Sequence, residues 1–324
     1  MKFEIACFRA SLIFLMLMTS IFSNSSLFAV VSLPFGDGSG QVGFSNQNNH
    51  PEAEGGIPLG PLSFRINGDE TWVLDSVGGR VFQISAEGKI TNSIQVADPK
   101  AAMLEDFALI RDTAGKVTSI WVLNAFTQEA VHLAVDGKQL GKVGGHGEDP
   151  GNFSQFQRIE IDSSGRLFIG DLGRRVISIF DSAGQILREV EWEWSGFCLD
   201  GQGNLCRLQW DETAHCSHLL IETFDGQSVK NIPLPIGEHV NPVLWFISDK
   251  SEAIISYNPP GNLTSFALAR CNLDGKGIST TELKPPVGMN RFLEPGSALQ
   301  FWLAEASFVD APKGNFTVNS FSMK

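Results

Sequence analysis

The chain lacks the signatures by which hydrolytic and nucleotide chemistry usually announces itself. Its 324 residues contain no Gly-x-Ser-x-Gly nucleophile turn, no HExxH zinc motif, no Walker loop and no Cys/His catalytic signature. Beyond the N-terminus no apolar run reaches about 18 residues, so no further membrane-spanning helix is expected. No stretch longer than about ten residues shows helical periodicity. Only Ala101–Asp106 reads as a single helical turn. Basic residues are also scarce. Against 36 Asp and Glu stand 24 Lys and Arg, for a net charge of −12 and a pI near 4.9. That balance argues against nucleic acid and anionic membrane surfaces, and suits cations or basic partners. Apolar residues are not scarce: at 43%, with 19% charged, they specify a core rather than a disordered tail.

The N-terminus reads as an export signal spanning residues 1–29. Lys2 and Arg9 supply a short basic region, Ser11–Phe22 an apolar core, and Leu27-Phe28-Ala29 a cleavage site. Retention as an uncleaved anchor is the alternative. Cys7 precedes the apolar core, so no lipoprotein cysteine follows it. The expectation is an exported protein, periplasmic or extracellular. In such a compartment Cys198 and Cys206, which flank the turn Asp200-Gly-Gln-Gly-Asn204, are placed to bridge a hairpin or else to sit as two small buried residues. Cys216 and Cys271 complete the mature set.

What the chain does have is a repeat. Aromatic-rich strands ending in Asp or Asn recur at Asp75, Asn124, Asp171, Asp211 and Asn258, and more weakly at Glu305, in steps of 49, 47, 40, 47 and 47 residues. A second series of turns at Gly88, Gly137, Gly184, Gly226 and Gly275 keeps the same register. A period in the forties with four strands per unit predicts a single all-β domain, a six-bladed β-propeller, with five and seven blades as the neighbouring counts. The expected blades are 63–97, 107–144, 156–192, 195–234, 242–284 and 291–324. The last is one strand short, and an N-terminal strand at 30–35 is expected to complete it and close the ring. The loops Phe35–Phe44 and Val143–Phe153 resemble each other, as two loops that both follow a fourth strand should.

The best-preserved unit runs Gly144–Leu187: a glycine-rich loop ending in Phe153, then Ile159-Glu-Ile-Asp-Ser-Ser-Gly165, Leu167-Phe-Ile-Gly-Asp171 and Arg175-Val-Ile-Ser-Ile-Phe180. With Trp72-Val-Leu-Asp-Ser-Val-Gly-Gly-Arg-Val-Phe82 it resembles the NHL-repeat family of six-bladed propellers. The resemblance covers roughly half of the mature chain, since blades four to six have lost most of the motif and blade three lacks the proline that precedes the first strand in the family. It implies that Asp75 with Arg80, and Asp171 with Arg175, form the family's Asp…Arg turn, a structural role.

In a propeller the inter-blade loops and the turns after the second strands share one face around the channel mouth. Glu105, Asp106, Glu148, Asp149, Trp194, Trp210, Glu238, His239 and Arg291 are the residues expected there. Their carboxylates could converge on one divalent cation such as calcium or zinc, although solvated loop carboxylates are the commoner outcome. His50, His146 and His239 precede alternate blades, and three imidazoles on the axis would suit zinc, an arrangement resembling propeller lyases that cleave carbinolamides. His215, Cys216 and His218 have ligand-like spacing, but strand alternation turns neighbours to opposite faces. Trp192 and Trp194 share a face, either packing a blade or flooring a sugar or peptide site. Asn24, Asn152, Asn262 and Asn315 begin N-x-Ser/Thr matches. The reading is a monomeric binding module, without cofactor, for a protein, peptide or glycan. The alternative is a lactonase-like hydrolase or lyase with one divalent metal in the channel.

Overall fold

In the computed structural model the described residues are 31–49, 56–193, 196–262, 266–283, 288–296 and 300–323. The expected export signal, His50 and Trp194 therefore lie outside them. The described residues form six four-stranded antiparallel sheets, and in five of them the strands lie side by side in chain order. Blade three is the clearest: Phe156–Ile161, Leu167–Asp171, Val176–Phe180 and Ile186–Glu191. Its first turn is set by Asp162, whose Oδ1 accepts the amides of Ser164 and Arg166 at 2.8 and 2.9 Å.

The second strand of that blade is buried at every position, and alternation explains why. Leu167 and Ile169 face Ala108 and Trp121 of blade two, while Phe168 faces Phe197 and Leu205 of blade four. A strand buried on both sides reads as a continuous apolar run instead of an alternating one. Gly170 on the blade-four side is required by packing. A Cβ there would lie 2.9 Å from both Phe197 and Trp192. Trp192 itself is fully buried, T-stacked on Phe197 at 5.7 Å, so it packs blade three on blade four.

The innermost strands Ser63–Asn67, Leu104–Arg111, Phe156–Ile161, Phe197–Leu199, Val240–Ile247 and Leu293–Pro295 each touch the next, and the last touches the first, which closes the ring. The sixth blade is completed by the N-terminal strand Val31–Pro34, which pairs antiparallel with Asn315–Ser322. Val31 and Leu33 point into the core opposite Val318 and Phe316, and Ser32 and Pro34 point out. The two loops that resemble each other in sequence also share geometry: Phe35 bridges Val42, and His146 bridges Phe153.

One local expectation is corrected. Ala101–Asp106 is not a helical turn. A 3-10 turn covers Pro99–Ala101, and blade two already begins at Leu104. Leu104 pairs with Asn124, and Asp106 is drawn inward by two arginines, so the segment is extended.

Candidate functional site

Strand polarity divides the ring into two faces. The upper face carries the inter-blade loops and the turns after the second strands. The lower face carries the turns that link first to second and third to fourth strands. On the upper face the strand-ending acids hold the incoming loop of their own blade. Asp75 accepts Gly43 N at 2.8 Å and Gly78 N at 3.0 Å, and pairs with Arg80 Nε at 2.8 Å. Asp171 accepts the amides of Ser154 and Gln155, both at 2.9 Å. In its turn Arg174 makes a bidentate pair with Glu189 (2.8 and 2.7 Å), while Arg175 takes the left-handed backbone (φ 56°) that Gly79 takes in blade one.

The axis is filled by charge. Asp106, fully buried, accepts Ser63 Oγ at 2.6 Å and pairs with Arg65 Nη2 at 3.1 Å and Arg291 Nη2 at 3.0 Å. Arg291 also reaches Glu160 at 2.7 Å and Glu294 at 3.5 Å, and Arg65 reaches Glu294 at 3.1 Å. Burial works against the charge on Asp106, but Arg291 and Arg65 outweigh it and hold the carboxyl well below the usual range. For Glu294 burial prevails and raises the pKa. Arg158 joins the group from blade three. It donates to Leu244 O at 2.9 Å, its guanidinium lies 5.2 Å from the centre of the Trp245 ring, and its buried Nη2 has no hydrogen-bond partner among the described residues. Burial, with Arg291 nearby, brings its pKa down to about 9.

Above this network the channel mouth is crossed by the segment leading into blade six. Asn290 Nδ2 donates to Glu105 O at 3.2 Å and to Gln157 O, tying it to blades two and three, and Arg291 N donates to Leu62 O at 2.8 Å. Glu105 sits beside this crossing, in a small pocket with Ser45, Leu62 and Met103. Burial, then the charge of Asp106, push its carboxyl up to about 7. Below the network the channel widens into a cavity of about 260 Å³ walled by Arg65, Arg111, Glu160, Trp245, Arg291 and Glu294. Its rim is formed by the ends of the first strands, among them Ile66, Ile161, Leu199, Ile247 and Pro295, so it opens on the lower face. Leu199 and Ile247 also wall a larger cleft of about 640 Å³ between blades four and five.

The remaining upper-face residues gather only in part. Trp210 meets His239 edge-on at 5.7 Å, and His239 meets Tyr257 at 5.9 Å, a row that spans blades four and five. His239 Nδ1 donates to Gly237 O at 2.6 Å, which leaves Nε2 to accept Ser217 Oγ at 2.8 Å. Next to this row lies a groove of about 470 Å³ lined by Arg175, Glu191, Trp192, Glu193, Trp210 and Glu212. Glu148, Asp149 and Glu238 are exposed loop carboxylates. His146 contacts Phe126 O at 3.3 Å in blade two, a partner separate from those of His239. His218 bonds Asn231 at 2.6 Å and lies 3.7 Å from Asp211. Cys198 and Cys206 stand directly opposite each other as buried free thiols. A thiol–thiol hydrogen bond between them, and then burial, push the Cys206 pKa up.

Solved structures share this architecture. Virginiamycin B lyase from Staphylococcus aureus superposes with a TM-score of 0.51 at 15% identity, covering 82% of this chain and 85% of that one. A luciferin-regenerating enzyme gives 0.53 at 10%, covering 82% and 93%. A putative exported protein from Bacteroides fragilis gives 0.51 at 10%, covering 93% and 97%. At such identities the likeness is one of fold alone. No protein-family model matches the chain, and neither does any characterised sequence.

The chemistry of the axis is therefore read from its own residues. Among the described residues, no three His, Cys, Asp or Glu side chains gather as metal ligands. The carboxylates that do converge, Asp106, Glu160 and Glu294, are each within ion-pair reach of at least one guanidinium. Asp106 and Arg291 were expected on the rim and stand instead on the axis. Arg65, Arg158, Glu160 and Glu294 carry no expectation from sequence. Their one signal is charge at inward positions of otherwise apolar first strands, as in Ser63-Phe-Arg65 and Phe156-Gln-Arg158-Ile-Glu160.

Proposed function

We propose that the protein is an exported binding module, without a resident metal, which holds a protein, peptide or glycan on its upper rim. The observation that carries the reading is the Trp210–His239–Tyr257 row beside a groove lined by three glutamates and one arginine. An aromatic face next to excess negative charge suits a partner with a cationic group, a basic peptide or an amino sugar, which gains both cation–π and ionic attraction. The metal-dependent hydrolase or lyase reading finds less support, because a divalent cation on the axis would have to displace arginines from carboxylates they already neutralise.

The test is tryptophan fluorescence of the wild type and of Trp210→Ala, titrated with a lysine-rich peptide, a chitosan oligomer and a neutral cello-oligosaccharide. The expected result is a saturable change with one of the cationic probes. Affinity should then fall roughly tenfold or more in the variant. No change with any probe, or equal binding by the variant, overturns the reading.

A further inference from the structure

The lower cavity has a chemistry that the rim reading does not use. Four guanidinium groups surround it or border it: Arg65, Arg111 and Arg291 wall it, and Arg158 stacks on Trp245, which also walls it. Three carboxylates face them, Asp106, Glu160 and Glu294. A further acid, Glu105, lies in the separate upper pocket, where burial pushes its pKa up to about 7. The channel thus holds more positive than negative charge, in a chain whose net charge is −12.

That surplus is also short of hydrogen-bond acceptors. Arg158 is 3% exposed, and its Nη2 has no hydrogen-bond partner among the described residues. Arg111 uses Nε on Asn67 Oδ1 (2.6 Å) and Nη2 on Ile66 O (3.3 Å), which leaves its Nη1 without a hydrogen bond among the described residues. Arg158 has one carboxylate within ion-pair reach, Glu160 at 3.9 Å, and a buried N–H left without an acceptor is costly, while Arg111 stands exposed at the cavity wall with a donor free for an incoming anion. The cavity, about 260 Å³, holds about eight waters at about 30 Å³ each, room for a small organic acid but not for a chain. The cavity opens on the lower face, and Asn290 and Arg291 cross the upper mouth.

We propose that this cavity is a binding site for one small oxyanion, a carboxylate or a phosphate, which enters from the lower face past Leu199 and Ile247 and is gripped by Arg111 with Arg65 and Arg291. The fork of a guanidinium matches either group. Glu160 and Glu294 stand beside those arginines and fix their orientation. They also disfavour multiply charged ligands, so the preferred anion carries one charged group. The site is independent of the rim: it faces the opposite way and shares no residue with the aromatic row.

The full-length mature chain is titrated by calorimetry with acetate, propionate and inorganic phosphate, in a buffer of zwitterions and chloride. The expected result is one site per chain for the carboxylates, for phosphate, or for both, and a higher midpoint of thermal unfolding with the anion that binds. Acetate and propionate without phosphate identify an organic acid; phosphate alone identifies a phosphate. Arg111→Gln removes an exposed guanidinium outside the buried network and is expected to weaken binding roughly tenfold or more. Leu199→Trp narrows the entrance and is expected to do the same without removing charge. The proposal is overturned if none of the three anions saturates a site below about 10 mM, or if both variants bind as the wild type does.

Discussion

Arg291 Nη2 donates to Asp106 Oδ2 at 3.0 Å, joining blade six to blade two across 185 positions of sequence. Asp106 is 0% exposed and Arg291 4%. The pair is thus a buried ionic lock between blades that are not neighbours in the ring. Asp106→Ala leaves Arg291 and Arg65 with a lost counter-charge and is expected to destabilise the fold by about 3–5 kcal/mol in urea unfolding. Glu160→Gln, at a partner whose side chain is 21% exposed and which keeps a hydrogen-bonding amide, is expected to cost less, about 1 kcal/mol. Equal effects would show that the network is not organised around Asp106.

Ring closure gives a second test. Leu33 is 3% exposed opposite Phe316, in a strand of only four residues that supplies the sixth blade's outer edge. Leu33→Ala is expected to lower stability by about 2–5 kcal/mol, while Ser32→Ala on the outer face changes it by under about 0.5 kcal/mol. Comparable losses at both positions would contradict the register.

Gly170 tests the packing between blades three and four. A methyl group there meets Phe197 and Trp192 at 2.9 Å, and both rings are fully buried and pressed on each other. Gly170→Ala is expected to destabilise by about 1–3 kcal/mol, despite the higher strand propensity of alanine. A neutral result would mean that the two blades can separate freely.

Most of the ring was legible in sequence because it is made of repetition. Asp75, Asp171 and the glycine turns recur at fixed spacing, and each turn is a local solution to a local problem. The strand at Val31–Pro34 was legible for a different reason: blade six lacked an edge, and the ring has to close. The axis was not legible. Arg65, Asp106, Glu160, Arg291 and Glu294 come from four blades and meet only when the ring is complete. No spacing rule links them, and each alone reads as a solvated charge. Trp210 and His239 were named as rim residues and do meet, but Tyr257, hidden in a fading repeat, was not named with them.

Glu105 gives the fold a pH dependence. Its folded pKa of about 7 is above the unfolded value of 4.5, so the native state binds the proton more tightly. The stability this confers is complete below about 4.5 and is lost as pH rises through about 7. Thermal unfolding of the wild type is expected to weaken across that window by on the order of 2–3 kcal/mol, and Glu105→Gln to flatten the profile. An unchanged slope in the variant would assign the effect to another group.

The central claim is that the converging carboxylates of the axis, Asp106, Glu160 and Glu294, are held by arginines rather than arranged around a divalent cation. Elemental analysis of the purified protein, before and after dialysis against a chelator, tests it most directly. The account predicts no stoichiometric divalent metal and an unfolding midpoint that the chelator leaves unchanged. One tightly held calcium or zinc per chain, whose removal lowers that midpoint, would contradict it.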